Sequence, residues 1–140
     1  MEKSDKTSQA RFQFTGYLID QCSINLTGKP LGDEMEFGID PTGEFDKEQK
    51  LFTLTMLVAV SDKERNLDLS LRIRGFFNYE ATDMNELRTF IGISAPALLF
   101  PYIRAYVSNI TALSGMQPII MPTLNMVAVG EELVSQLDLS

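Results

Sequence analysis

Few residues of this sequence have types and spacings that could do chemistry. Cys22 is its only cysteine, and it has no histidine. A lone thiol becomes a nucleophile when a neighbouring cation or base lowers its pKa. Cys22, however, falls on the apolar parity of a strand-like run and reads as a small core residue. The carboxylate pairs Asp33 with Glu36 and Glu44 with Asp46 have the types for general acid–base work. Both sit in loops dense with other charges and read as solvated surface. Arg104 stands alone in an otherwise uncharged zone from Thr89 to Gly130. It has two readings, a grip on a ligand carboxylate or a structural ion pair. Arg72 and Arg74 lie two apart on one strand face, where they could hold an acidic partner or simply line a polar surface. The composition rules out HExxH and CxxC, no Gly-Xaa-Ser-Xaa-Gly elbow exists, and no Gly-rich phosphate loop follows a strand. The sequence therefore predicts no catalytic residue, no metal and no cofactor: not an enzyme.

Composition bounds the partners. With 44% hydrophobic and 22% charged residues, the 140-residue chain reads as one globular domain over residues 1–140, with residues 1–10 as a flexible polar tail. A net charge of −7 argues against tracking nucleic-acid phosphates and against an anionic membrane surface. No stretch supplies about 20 consecutive apolar residues, so no membrane insertion is expected. The first residues form no apolar leader, and a reducing, cytoplasmic setting is the simplest reading.

The elements that must position these residues follow from periodicity. Phe12, Phe14, Leu18, Cys22, Ile24 and Leu26 share one parity of a first strand; Gly16 and Asp20 interrupt it and predict a bulge or bend. Thr27–Pro30 and Gly32-Asp33 are turn chemistry. Met35, Phe37 and Ile39 alternate in a short second strand, with Asp40–Gly43 as another turn and Glu44–Lys50 as exposed charge. Phe52, Leu54, Met56, Val58 and Val60 mark a third strand. Ser61–Asn66 is a charged hairpin loop, and Leu67, Leu69, Leu71 and Ile73 mark a fourth strand continuing into Gly75–Tyr79. The period then changes. Thr82 or Asp83 caps a short helix ended by Gly92, and Ser94 or Ala95 with Pro96 starts a longer one. Leu99, Tyr102, Tyr106, Ile110 and Leu113 form its apolar stripe, with Leu98, Ile103 and Val107 beside it. Pro101 bends it and Gly115 stops it. Met116–Asn125 is extended between prolines, and Glu131–Leu139 is a short amphipathic helix. The predicted class is α+β: a four-stranded antiparallel meander followed by a long helix and a shorter C-terminal helix on one face.

This chain has more apolar surface than one sheet face absorbs. Phe76, Phe77 and Tyr79 point to both faces, and Met116, Met121 and Met126 are flexible residues that suit adaptable surfaces. Core packing with a subunit interface, or an adaptable apolar groove, both accommodate them.

Ala95–Arg104 reads APALLFPYIR. This resembles the opening of the long helix in SecB-type preprotein-export chaperones, through Pro96, Leu99, Phe100, Pro101, Tyr102 and Arg104. The resemblance extends to Phe12–Phe14, Gly75-Phe76, Gly115, Pro118 and Leu124-Asn125-Met126. It implies apolar grooves that hold unfolded or preprotein polypeptides without ATP or cofactor. It also implies a dimer of dimers, and an acidic surface that docks the basic tail of the translocase ATPase. The positions of that docking surface fall on Gln21, Asn25, Asp68 and Ser70 here. The expected groove comprises Phe76, Phe77, Tyr79, Leu99, Phe100, Tyr102, Met116, Ile119, Ile120, Met121, Leu124 and Met126. The expected oligomer contacts are Phe12, Phe14, Tyr106 and Ile110. Two other functions fit the same features: a SecB-like chaperone dedicated to one partner such as an antitoxin, and a structural or small-ligand-binding oligomer resting on Arg104 beside Tyr102 and Tyr106.

Overall fold

Alternating apolar residues build four long strands: β1 (Arg11–Leu26), β2 (Met35–Asp46), β3 (Leu51–Asp62) and β4 (Leu67–Glu80). The computed structural model describes residues 11–81 and 83–138; the polar tail 1–10, Thr82, Leu139 and Ser140 lie outside them. All pairings are antiparallel, and the order is β1-β4-β3-β2. The four-stranded antiparallel sheet is present, but it is not a plain meander. β2, β3 and β4 follow one another, whereas β1 pairs with β4. The crossover segment 27–34 therefore carries the chain from one sheet edge to the other.

β1 has two register shifts, between Phe14 and Gly16 and between Ile19 and Gln21. These are the two places where Gly16 and Asp20 break the apolar parity. Each bulge adds a residue and reverses which side chains face inward. Between them Tyr17 and Ile19 oppose Gly75 and Ile73 on the helix side, and Leu18 opposes Arg74 on the open side. After the second bulge the original parity returns. Cys22 opposes Leu71 on the helix side, yet it is exposed because β1 is an edge strand. Its expected place in the core is corrected accordingly. The hydrogen bond between Cys22 and the Tyr106 phenol, with burial second, raises the pKa of Tyr106.

β2 continues through the expected turn at Asp40–Gly43 to Asp46. Pro41 fits because β2 is an edge strand, where the missing N–H costs no ladder bond. Its carbonyl accepts a 2.7 Å hydrogen bond from Gln136 Nε2 of the last helix.

The helical half opens as predicted. The Asp83 side chain caps α1 (Met84–Thr89) by accepting the Glu86 N–H. Gly92 does not end it. A π-helical turn, Phe90–Ser94, joins α1 directly to α2 (Ala95–Leu113), making one helix from Met84 to Leu113. Pro96 explains the wide turn. It has no N–H for the Gly92 carbonyl and its ring would crowd that oxygen; Ala95 instead donates to Phe90, five residues back. Gly115, at φ +91°, terminates α2. Asn125 caps α3 (Met126–Gln136) by accepting the Ala128 N–H. By length and composition, Met84–Leu113 could cross a membrane. One face of it is instead committed to the sheet.

That face differs from the predicted stripe. Leu99, Ile103, Val107 and Thr111 are buried, one turn apart, whereas Tyr102 is exposed and Leu113 is 84% exposed. α2 lies across β4 and β1, and α3 lies on β2 and the π turn. The core forms between them and the inward residues of β3 and β4. At one end Phe77 stacks on Phe12 at 4.8 Å and meets Phe14 at 5.2 Å and Phe52 at 6.1 Å. Where α3 crosses the π turn, the chains touch through Gly92 and Gly130. A Cβ on Gly130 would fall inside the van der Waals shell of the Gly92 carbonyl oxygen.

Candidate functional site

The crossover segment carries an apolar residue in the middle of its turn chemistry: Leu31 lies between Pro30 and Gly32. The segment after α2 does the same, with Met116 and Ile119 around Pro118. These two irregular segments stand on either side of a cavity of about 590 Å³. Leu26, Leu31, Met35, Met116, Pro118 and Ile119 supply its apolar lining, and Lys29 is its only charged residue.

Each wall is fixed by polar side chains. On one side, Gly32 N–H and Leu67 N–H donate to the two carboxylate oxygens of Asp62, each at 2.9 Å. Asp62 is fully buried. Asn66 Nδ2 donates to the Pro30 carbonyl at 3.1 Å, and Thr27 Oγ1 donates to Asn66 Oδ1 at 2.8 Å. On the other side, Ser108 Oγ donates to the Ile119 carbonyl at 2.9 Å, and the Ile119 N–H donates to Thr111 Oγ1 at 3.0 Å. Asp62 and Asn66 read in the sequence as part of a charged hairpin loop. The only sequence signal for this wall was an apolar residue inside a turn.

The expected groove residues do not form one surface. Met116 and Ile119 line this cavity. Ile120 is 62% exposed beyond it, and Leu124 and Phe100 are half-buried. Met126 lines a second apolar cavity, about 540 Å³, between the π turn and α3, with Ile93, Ala97, Val127 and Val134. Tyr102 is exposed and leans on Tyr17 at 4.5 Å. Tyr79 is half-buried against Phe45 at 5.4 Å, and burial, with Asp46 nearby, raises its pKa. Three residues are corrected. Phe77, Leu99 and Met121 are enclosed in the core, at 1% exposure or less, and offer no surface to a partner. Phe76 points to the opposite sheet face, opposite Gly16 and Thr53. Phe12, Phe14, Tyr106 and Ile110 are half-buried along the β1 and α2 side.

The chemistry-bearing residues stay apart. Arg104 is exposed on α2 and forms no ion pair among the described residues, so the structural ion pair is not made within the chain. Arg72 and Arg74 converge on Asp20 at the second bulge, with Nε distances of 2.9 and 3.2 Å. The Arg72 hydrogen bond, above all, lowers the Asp20 pKa. No metal-type cluster of acids, Cys or His occurs among the described residues.

The Gly32 and Leu67 N–H groups also hold the Asp62 pKa below its usual value. Asp20 and Asp62 therefore stabilise the fold fully above the unfolded carboxylate pKa of about 4, and lose that contribution as pH falls through their lower folded values. The urea midpoint should be flat near neutrality and fall below about pH 4, and Asp62→Asn should flatten that fall. An unchanged midpoint through the acid range would contradict this assignment.

The description "preprotein translocase subunit SecB" belongs to the family model that matches residues 35–136. A protein of Methanocaldococcus jannaschii described as uncharacterized is 30% identical over 121 residues, 81% of this chain and 78% of its own length. Protein-export protein SecB of Paraburkholderia xenovorans is 27% identical over 143 residues, 96% of this chain and 91% of its own. Among solved structures, a SecB-like chaperone of Mycobacterium tuberculosis in complex with an antitoxin peptide superposes with a TM-score of 0.68 at 15% identity. It covers 86% of this chain and 95% of that one, a likeness of fold.

Proposed function

The chain belongs to the SecB family, a chaperone family rather than an enzyme family, and from that premise we propose that it is an ATP-independent holdase for extended, unfolded polypeptides. Preproteins bound for export are the proposed clients, met in the cytoplasm. The observation that carries this reading is the open 590 Å³ cavity, walled by two irregular segments and lined with flexible apolar residues around one charge. Such a lining accepts varied apolar side chains, because Met repacks at little cost. Met116 and Ile119 form the centre of the proposed groove. Leu124, Phe100 and Met126 would extend it along the helices, with Ile120, Tyr79 and Tyr102 as outlying apolar contacts; Phe76, on the other sheet face, is left out of it.

The proposed assembly is a dimer of dimers. On the open side β2 carries Glu36, Asp40 and Glu44, which discourage edge pairing. β1 is the better edge for a second copy, carrying Phe12 and Phe14 with Tyr106 and Ile110 of α2 beside it. For translocase docking, Gln21, Asn25 and Ser70 are uncharged where the family places its docking surface, which leaves Asp68 as the acidic residue of the four.

A second reading, a chaperone dedicated to one partner such as an antitoxin, is favoured by the antitoxin peptide held by the M. tuberculosis chaperone. One assay separates the outcomes. The purified protein at stoichiometric amounts, without ATP, should suppress aggregation of several unrelated unfolded clients. Suppression restricted to one partner would favour the dedicated role. No suppression together with no peptide binding would remove both. Light scattering should give the mass of a tetramer; a monomer would count against the assembly.

A further inference from the structure

We propose that Asp62 and Asn66 are positioning residues for the groove: they hold the crossover segment as a preformed wall and fix Leu31 to face the client. The proposal deepens the holdase reading and rests on it. Segment 27–34 joins opposite sheet edges and has no strand partner of its own. The β3–β4 turn, which it passes, supplies its anchors. Asn66 grips the carbonyl of Pro30 and Asp62 grips the N–H of Gly32. These are the residues on either side of Leu31, so its backbone is held at both ends. The opposite wall repeats the arrangement: Ser108 and Thr111 grip the carbonyl and N–H of Ile119. Each wall thus offers one apolar side chain with a clamped backbone, and both side chains line the cavity.

The choice of a carboxylate supports positioning over local turn stability. Burying a charged group is costly unless hydrogen bonds replace its water. The hairpin uses one Asp62 oxygen, through Leu67; the other goes to a segment outside the sheet. A clamped wall leaves less loop and side-chain freedom to be lost when client binds.

The test compares Asp62→Ala, the milder Asn66→Ala, and Leu54→Ala, a core truncation remote from the cavity. The probe is a permanently unfolded, reduced and carboxymethylated protein, titrated at a temperature where each variant is folded. Amide exchange at Leu31 and Gly32 is followed alongside. Asp62→Ala and Asn66→Ala should weaken binding on the order of tenfold and speed exchange at both amides. Leu54→Ala should lower the denaturation midpoint yet keep affinity within about twofold. Wild-type affinity in folded Asp62→Ala and Asn66→Ala would overturn the proposal, as would an equal loss in Leu54→Ala. A wild type that fails to bind the probe would instead overturn the holdase reading, and this proposal with it.

Discussion

Gly130→Ala is expected to destabilise the fold by about 2 kcal/mol, a fall in Tm of roughly 6 °C. In an ordinary exposed helix the same change stabilises by up to about 1 kcal/mol, because alanine is the better helix former. Here the new methyl meets the Gly92 carbonyl, which is backbone and cannot rotate away. The π turn is held in turn by Pro96, so Gly92 cannot easily retreat. α3 must shift outward, loosening Val129 and Leu133 from the core. Thermal and urea denaturation of the single variant measure the effect directly. A rise in stability would mean that the two glycines are not in the close contact described.

The largest functional loss is expected from Met116→Ser combined with Ile119→Ser. Central apolar anchors of a binding site commonly cost about 2 kcal/mol or more each on truncation, so each replacement should lower client affinity by roughly thirtyfold and the two together by several hundredfold. Ile120→Ser is the contrast. Ile120 is adjacent in sequence and more exposed, but it does not line the cavity. Its replacement should change affinity by only a few-fold. Equal losses in the two variants would spread the binding surface along the whole segment and weaken the case for a defined groove.

The strands and the order of sheet before helices were legible because alternation is a local signal. The bulges were legible in position, from Gly16 and Asp20, but their effect on Tyr17, Leu18 and Ile19 depends on the pairing with β4. The helix stripe was ambiguous because α2 is apolar nearly all round. Leu99 fits both the expected set with Tyr102, Tyr106 and Ile110 and the observed set with Ile103, Val107 and Thr111. Choosing between them takes the three-dimensional approach of α2 to β4. The π turn follows from Pro96 only once α1 and α2 are known to be continuous. The proposed groove was half legible. Met116 and Ile119 came from composition and resemblance, whereas Leu31 and Asp62 acquire meaning only when the crossover segment passes the β3–β4 turn.

The strand order also has a consequence in time. Of the four strands β1 is made first, and β4, its one strand partner among the described residues, is made last; Thr15 and Phe76, hydrogen-bonded across that seam, are 61 positions apart. At synthesis rates of roughly 5–20 residues per second, β1 waits on the order of several seconds for its neighbour. Non-local pairings of this kind also slow folding, because a long loop must close before they are rewarded. During that interval the nascent chain presents Phe12, Phe14 and Ile19 on an unpaired strand. For those seconds it is itself the kind of extended apolar segment that it is proposed to hold in others.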